Sequence, residues 1–323
     1  MKTLTVLKKG LLLAMITLLS FSCSDDDQVT KLPETIAEIA VASPDLSNLV
    51  AALQRAGLVN TLNSNVEFTV FAPTNDAFAK FLADNNFSSL NEVPVEMLNQ
   101  VLLNHVISGE LRSTDLTTGY GKTLAIEAST ENNLSLYINT ASGGVILNGV
   151  SNVIVPNIDA TNGIIHVVDE VIALPSIVDF ALADDTFSIL VSALTRSDLT
   201  FDYVSTLSTS NGTSPAPFTV FAPTNDAFVS LLSELGASEL SDIDEPTLKA
   251  TLDLHAVAEA NVLASALTDN MTVTTLGGDI TANVTDGPTL TDSNGRISNI
   301  VVTDVQAANG VIHVIDKVVL PTL

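Results

Sequence analysis

The eleven residues FTVFAPTNDAF occur twice without change, at Phe68–Phe78 and at Phe218–Phe228. An identical segment of that length does not recur by chance. The chain is therefore two copies of one unit, and the 150-residue spacing is a normal domain length. Further matches delimit the unit. His105 pairs with His255 at the same offset, and Asn162–Asp169 (NGIIHVVD) pairs with Asn309–Asp316 (NGVIHVID) at an offset of 147. At the front, Thr35-Ile36 matches Ser176-Ile177. Ile36 precedes Phe68 by 32 residues, whereas Ile177 precedes Phe218 by 41, so the second copy carries nine extra residues there. The Ser/Thr/Asn/Gly/Pro-rich stretch Ser205–Pro217 is the expected place for them, as a surface loop. Deletion of Ser208–Pro217 is accordingly expected to leave the fold intact.

Each shared motif has a local physical reading. Phe68–Phe71 is a β-rich run closed by Pro73, which cannot donate to a ladder. Thr74 suits a helix N-cap, and Asp76 places a negative charge in the first turn. Thr224 and Asp226 repeat this. Asn162-Gly163 and Asn309-Gly310 stand between apolar runs and predict tight hairpins in which both residues tolerate positive φ. His166 and His313 alternate with β-branched residues and read as half-buried, hydrogen-bonded core members. His105 and His255 follow apolar helical spacing and mark a helix or its end. A packing role and a contact role both fit them.

The start of the chain reads as an address. Lys2, Lys8 and Lys9 precede the short apolar run Leu11–Leu19, too short to span a bilayer. Cys23, the single cysteine, stands where a lipoprotein signal would be cut and lipidated. Ser20 occupies the position where leucine is commonest in such signals. The acidic run Asp25–Asp27 that follows resembles the surface-export signals of Bacteroidetes lipoproteins. An ordinary cleaved signal with an incidental cysteine is the alternative. The expected organisation is a signal peptide at 1–22, an acidic flexible tether at 23–32, and domains at 33–175 and 176–323. The protein is expected at the outer membrane, surface-exposed, with the periplasmic face as the alternative.

Charge narrows the partners. The whole chain carries a net −25, and removal of the three signal lysines takes it to −28. Such a chain repels nucleic acid and anionic lipid surfaces. Tryptophan is absent and tyrosine occurs three times, which argues against a sugar-stacking platform. Catalysis finds little support. There is no GxSxG segment, no HExxH pair, no phosphate-cradling glycine loop and no cysteine beyond Cys23. Two histidines per copy are too few for a zinc site on their own. The pairs Asp184-Asp185 and Asp242–Glu245 read as helix starts or solvated faces. Asp292–Gly295 lacks the spaced glutamate of a calcium loop and reads as a turn. No catalytic residue, metal or cofactor is expected.

Together, FTVFAPTNDAF and the terminal NGIIHVVDEVIALP and NGVIHVIDKVVLP segments resemble the signatures of the fasciclin (FAS1) domain. The resemblance covers about residues 33–323. It implies an α+β fold: two tandem domains, each a β-wedge of about seven strands with packed helices. It also implies adhesion rather than catalysis, with an extracellular protein or polysaccharide as partner and the membrane reached through Cys23. An accessory subunit docking on another envelope protein is the alternative. In the family, a Tyr-His pair between the two signatures is implicated in receptor binding. The matching positions here are Asn104-His105 and Leu254-His255, so the histidine is kept and the tyrosine lost. These four residues are the candidate contacts the resemblance implies.

Overall fold

Both copies fold in the order their patterns predict: helices, the shared strand, more helices, then hairpins. The structure, a computed structural model, describes residues 34–322. The first domain runs α1 (Ile36–Ala42), α2 (Ser47–Ala56), α3 (Val59–Leu62), β1 (Phe68–Pro73), α4 (Asn75–Asp84) and α5 (Val95–Leu103). It continues with β2 (Val106–Ser108), β3 (Gly119–Ile126), β4 (Asn133–Asn139), β5 (Ile146–Leu147), β6 (Ser151–Ala160) and β7 (Gly163–Val168). The second domain repeats this with α6 (Ile177–Ala183), α7 (Ser188–Leu194), α8 (Tyr203–Leu207), β8 (Phe218–Pro223), α9 (Asn225–Leu235) and α10 (Glu245–Asp253). Its later strands are β9 (Ala256–Ala258), β10 (Met271–Thr275), β11 (Gly278–Asn283), β12 (Thr289–Thr291), β13 (Ile297–Ala307) and β14 (Gly310–Ile315).

The seven strands of the first domain close into a barrel in sequence order. The ring is completed by β1, which lies antiparallel to β2 and parallel to β7. The second sheet runs β10-β11-β12-β13-β14-β8-β9. Its two ends are tied by one backbone bond, Leu276 N–H to Ala256 C=O at 2.8 Å. The turn Asp292–Gly295 joins β12 to β13, as its composition implies.

Alternation along β1 divides each domain into two cores. Phe68, Val70 and Ala72 face the helices, while Phe71 points into the barrel. Phe218, Val220 and Ala222 repeat the helix side, and Phe221 the barrel side. The cap read from the sequence forms in both copies. Thr74 accepts from Ala77 N–H at 3.2 Å and Thr224 from Ala227 N–H at 3.3 Å. Asp76 and Asp226 lie in the first turns of α4 and α9. Asn75 and Asn225 do more than the sequence suggested. Their side-chain oxygens accept the Asn48 and Ile189 N–H groups at 2.9 Å, tying α4 to α2 and α9 to α7.

The hairpins at Asn162 and Asn309 form, but one residue earlier than expected. Ala160 pairs with Gly163 and Ala307 with Gly310, so the turn residues are Thr161-Asn162 and Ala308-Asn309. Among these four residues and the two glycines, only Gly163 (φ 137°) and Gly310 (φ 155°) have positive φ. The asparagines are needed for their side chains. Asn162 accepts from Ile36 N–H at 2.9 Å and donates to the carbonyls of Leu62 (2.8 Å) and Ser64 (2.9 Å). Asn309 repeats all three bonds with Ile177 (3.0 Å), Leu207 (2.8 Å) and Thr209 (2.9 Å). The glycines are needed because the backbones touch: a Cβ on Gly163 would lie 1.9 Å from the Phe68 carbonyl oxygen, and on Gly310 2.2 Å from that of Phe218.

These equivalences relocate the insertion. The offset between copies is 141 residues at Leu46 and Phe187, 145 at Leu62 and Leu207, and 150 at Phe68 and Phe218. Four extra residues therefore fall before α8 and five after it, instead of all nine within Ser205–Pro217. The deletion expectation is corrected with it. Within Ser208–Pro217, Thr209 receives the Asn309 amide, and the carbonyls of Pro215 and Pro217 each accept a backbone N–H, from Glu259 and Ala260, at 2.9 Å. Ala216 is buried in the core. The segment is structural, apart from its exposed tip around Gly212.

The two domains pack as one compact unit. Tyr120 on β3 and Tyr137 on β4 donate to the two oxygens of Asp184, at 2.9 and 3.4 Å. Tyr120 meets the Phe180 ring edge-on at 5.6 Å. Lys122 donates to the Asp304 carbonyl at 2.6 Å, and Gln306 N–H to the Ser135 hydroxyl at 2.9 Å. Asn211, in the inserted loop, donates to Glu127 of the first domain. Asp184, read from sequence as a helix start, does cap its short 3-10 turn, and it also anchors the seam.

Gly163→Ala and Gly310→Ala are each expected to cost more than about 3 kcal/mol, because a backbone carbonyl cannot move aside for the new methyl. Urea melts of the two variants check this. A loss below about 1 kcal/mol would contradict the close approach.

Candidate functional site

The four histidines resolve into two kinds of internal strut. His105 follows α5 and is buried. Its Nδ1–H donates to Val101 C=O at 2.7 Å, and its Nε2 accepts from Ile172 N–H at 2.9 Å. His255 repeats this with Thr251 (2.7 Å) and Val319 (3.1 Å). The ring thus joins the end of a helix to the segment that leaves the last strand. His166 and His313 lie fully inside the barrel side and are stacked on Phe71 and Phe221 at 5.5 and 5.7 Å. They are fully rather than half buried. His166 Nε2–H donates to Leu111 C=O (2.9 Å) while Nδ1 accepts from Asn157 N–H (3.2 Å). His313 bonds Val262 and Asp304 in the same way, at 2.9 and 3.4 Å. Asn157 and Asp304 sit at positive φ, 61° and 58°, where β6 and β13 lose register. The histidines hold those bulges in place.

The remaining candidate contacts are also internal. Asn104 is completely buried and donates to the carbonyls of Ile172 and Ala173 at 3.3 and 3.0 Å. It accepts from the Thr123 hydroxyl at 3.2 Å. Leu254 is core. Asn104, His105, Leu254 and His255 are all buried in this structure. Cys23 lies outside the described residues.

Burial pushes His105 and His255 down to about 4, against the opposing pull of the Val101 and Thr251 carbonyls. His166 and His313 are lowered for the same reason. Neutral imidazole is what each geometry requires, since one nitrogen must accept. These rings hold no spare lone pair for a metal. Among the described residues no cluster of three His, Cys, Asp or Glu side chains could bind one.

Among the exposed residues are aliphatic side chains repeated in both domains. Ile154 and Val155 on β6 are 50% and 46% exposed, and Val301 and Val302 occupy the matching bulged stretch of β13 at 54% and 40%. The sequence carried a sign of this: two consecutive apolar residues break the alternation of a half-buried strand, so one must face water.

The fasciclin domain pattern matches residues 44–175 and again 185–321. The chain belongs to the fasciclin family. It is 31% identical to human periostin over 274 residues, 83% of this chain and 30% of periostin. It is likewise 31% identical to the transforming growth factor-beta-induced protein ig-h3 of Sus scrofa over 258 residues, 79% of this chain and 35% of that protein. The chain thus spans about a third of the length of these two relatives. A fasciclin-like arabinogalactan protein of Arthroderma benhamiae is 27% identical over 297 residues, 86% of this chain and 64% of that protein. The fold is similar to that of a FAS1 domain pair from the insect cell adhesion molecule Fasciclin I. There the TM-score is 0.52 and the identity 18%, covering 85% of this chain and 97% of that one.

The histidine shifts contribute to the pH dependence of stability. The unfolded chain binds protons near 6.5 that folded His105 and His255 refuse until about 4. Stability is therefore unaffected by them above pH 6.5 and falls as the pH drops from 6.5 toward 4. Each contributes a loss on the order of 3 kcal/mol. Urea melts of wild type and of His105→Gln with His255→Gln, between pH 7 and 4.5, should show the wild-type slope flattened in the variant. Equal slopes would contradict the assignment.

Proposed function

We propose that this protein is a lipid-anchored adhesion module of the cell envelope, tethered at Cys23 and holding two FAS1 domains outward as one body. Family membership over both domains carries this reading, and the Fasciclin I pair, described as a cell adhesion molecule, supports it by analogy of fold. Domain 1 is taken as 33–175 and domain 2 as 176–323, with 1–22 as signal and 23–32 as tether. The partner class is an extracellular protein or polysaccharide. The histidines, all engaged and neutral, favour binding over acid–base chemistry.

The contact surface we assign is the repeated apolar pair, Ile154-Val155 and Val301-Val302. A duplicated patch on a rigid pair makes the second contact intramolecular and raises avidity without new chemistry. In this reading the buried residues Asn104, His105, Leu254 and His255 act through the framework they hold together. The alternative, an accessory subunit of another envelope protein, is favoured by the same exposed apolar residues, which suit a protein groove as well.

Protease shaving of intact cells is expected to remove the full-length protein, with lysed cells as control. Ile154→Asp with Val301→Asp is expected to lower attachment to extracellular material at least about tenfold, equivalent to about 1.4 kcal/mol, with unchanged melting. Cleavage confined to lysed cells would overturn the adhesion reading. Co-purification of one stoichiometric envelope partner would put the accessory reading in its place.

A further inference from the structure

The second domain contains an apolar cavity of about 110 Å³ between α6, α7, α8 and the sheet. Its walls include Ala181, Leu190, Val191, Leu194, Val204 and Leu207. The surface these walls expose is apolar throughout. Two of its lining residues reach solvent, Leu182 at 65% and Val204 at 38% exposure.

The cause of the cavity can be read from the repeat. Ten of the wall residues have identical counterparts in the first domain, among them Leu49, Val50, Leu53, Val59 and Leu62. The side chains at these five positions are the same, but the connections are not. In the first domain α2 runs to Ala56, Gly57 caps it in the left-handed conformation, and α3 starts at Val59. Leu58 N–H bonds back to Leu53 C=O at 2.9 Å, which pulls α3 onto α2. In the second domain α7 stops at Leu194 and α8 starts only at Tyr203, after the four-residue part of the insertion. There α8 packs on α6 and is set away from α7.

We propose that this cavity is a binding site for one neutral hydrocarbon group, a short alkyl chain or a single ring, specific to the second domain. Size supports it: a cavity of about 150 Å³ lined by aliphatic and aromatic side chains stays dry and takes up benzene. Chemistry sets the charge. The wall offers no hydrogen bond, so a polar group must stay at the mouth. The charged residues on the flanking elements and their connections are the carboxylates Asp179, Asp184, Asp185, Asp198 and Asp202 and the cation Arg196. The Asp179 side chain accepts from the N–H of Ser176, the N-cap of α6, and Asp202 caps α8. Arg196 is already engaged with Asp198 at 2.6 Å and with the Leu240 and Ile243 carbonyls at 2.8 and 2.7 Å. No free cation meets an anionic head there, so a neutral ligand is preferred over an acid of the same length. This site is independent of the adhesion reading.

The test is a titration of the folded chain with hexan-1-ol and with hexanoate, read on the methyl resonances of both domains. Hexanol should shift Leu190, Val191, Leu194, Val204 and Leu207 saturably, with a Kd on the order of 1 mM. Their first-domain counterparts should stay in place. Hexanoate should bind several-fold more weakly. Ala181→Leu, which fills the cavity from α6, should abolish the shifts, and Val204→Leu at the half-open mouth should weaken them if Ala181→Leu does not fold. Equal shifts in both domains, equal affinity for the acid, or shifts that survive both substitutions would overturn the proposal.

Discussion

Each domain depends on one buried asparagine side chain. Asn162 sits at the tip of the last hairpin, and its amide holds the first residue of α1 and the last turn of α3 at once. Besides apolar packing these segments share two other hydrogen bonds, Thr161 N–H to the Glu34 carbonyl at 2.9 Å and the Thr35 hydroxyl to the Asn63 side-chain oxygen at 2.8 Å, but the Asn162 amide alone joins all three. Hydrogen bonds that satisfy buried backbone groups fix orientation in a way that packing does not. Asn309 performs the same service in the second domain with the same three bonds. Beside each asparagine a glycine lets β1 or β8 lie against the hairpin at backbone contact distance. The layer of helices and the layer of strands are registered at this point.

The histidines extend that logic. Each ring donates to one backbone carbonyl and accepts from one backbone N–H, so four polar side chains are spent on locking loops and bulges. None is left to do chemistry. The consequence for the proposed function is a partner surface on the outside of the body, and the exposed aliphatic residues on β6 and β13 are one of the apolar features repeated there. The seam between domains adds to the rigidity. Tyr120 and Tyr137 on one side and Asp184 on the other have no counterparts in the opposite copies, because the seam breaks the symmetry of the repeat.

Much of the fold was legible in the chain. The repeated eleven-mer gave the strand, the cap and the helix, since Thr74 and Thr224 act locally. The hairpins were legible too, but the reason for the asparagines was not. Asn-Gly suggested a turn conformation, whereas Asn162 is selected by partners a hundred residues away, which no local pattern encodes. The same holds for His105, whose two bonds span four and sixty-seven residues. The insertion was found by counting and misplaced by composition. A Ser/Thr/Pro-rich stretch looks like a free loop, yet Thr209, Pro215 and Pro217 lend their carbonyls to the fold. The seam has a sign in the sequence: residues that depart from the repeat, aromatic in one copy and acidic in the other.

The most direct test of this account is native-state hydrogen exchange on Asn162→Ala. Loss of three buried bonds should open α1 to α3 of the first domain, lowering their protection by about 3 kcal/mol. The equivalent helices of the second domain, still held by Asn309, should keep theirs. If protection falls by less than about 1 kcal/mol, or falls equally in both domains, the asparagine does not register the two layers and the account fails.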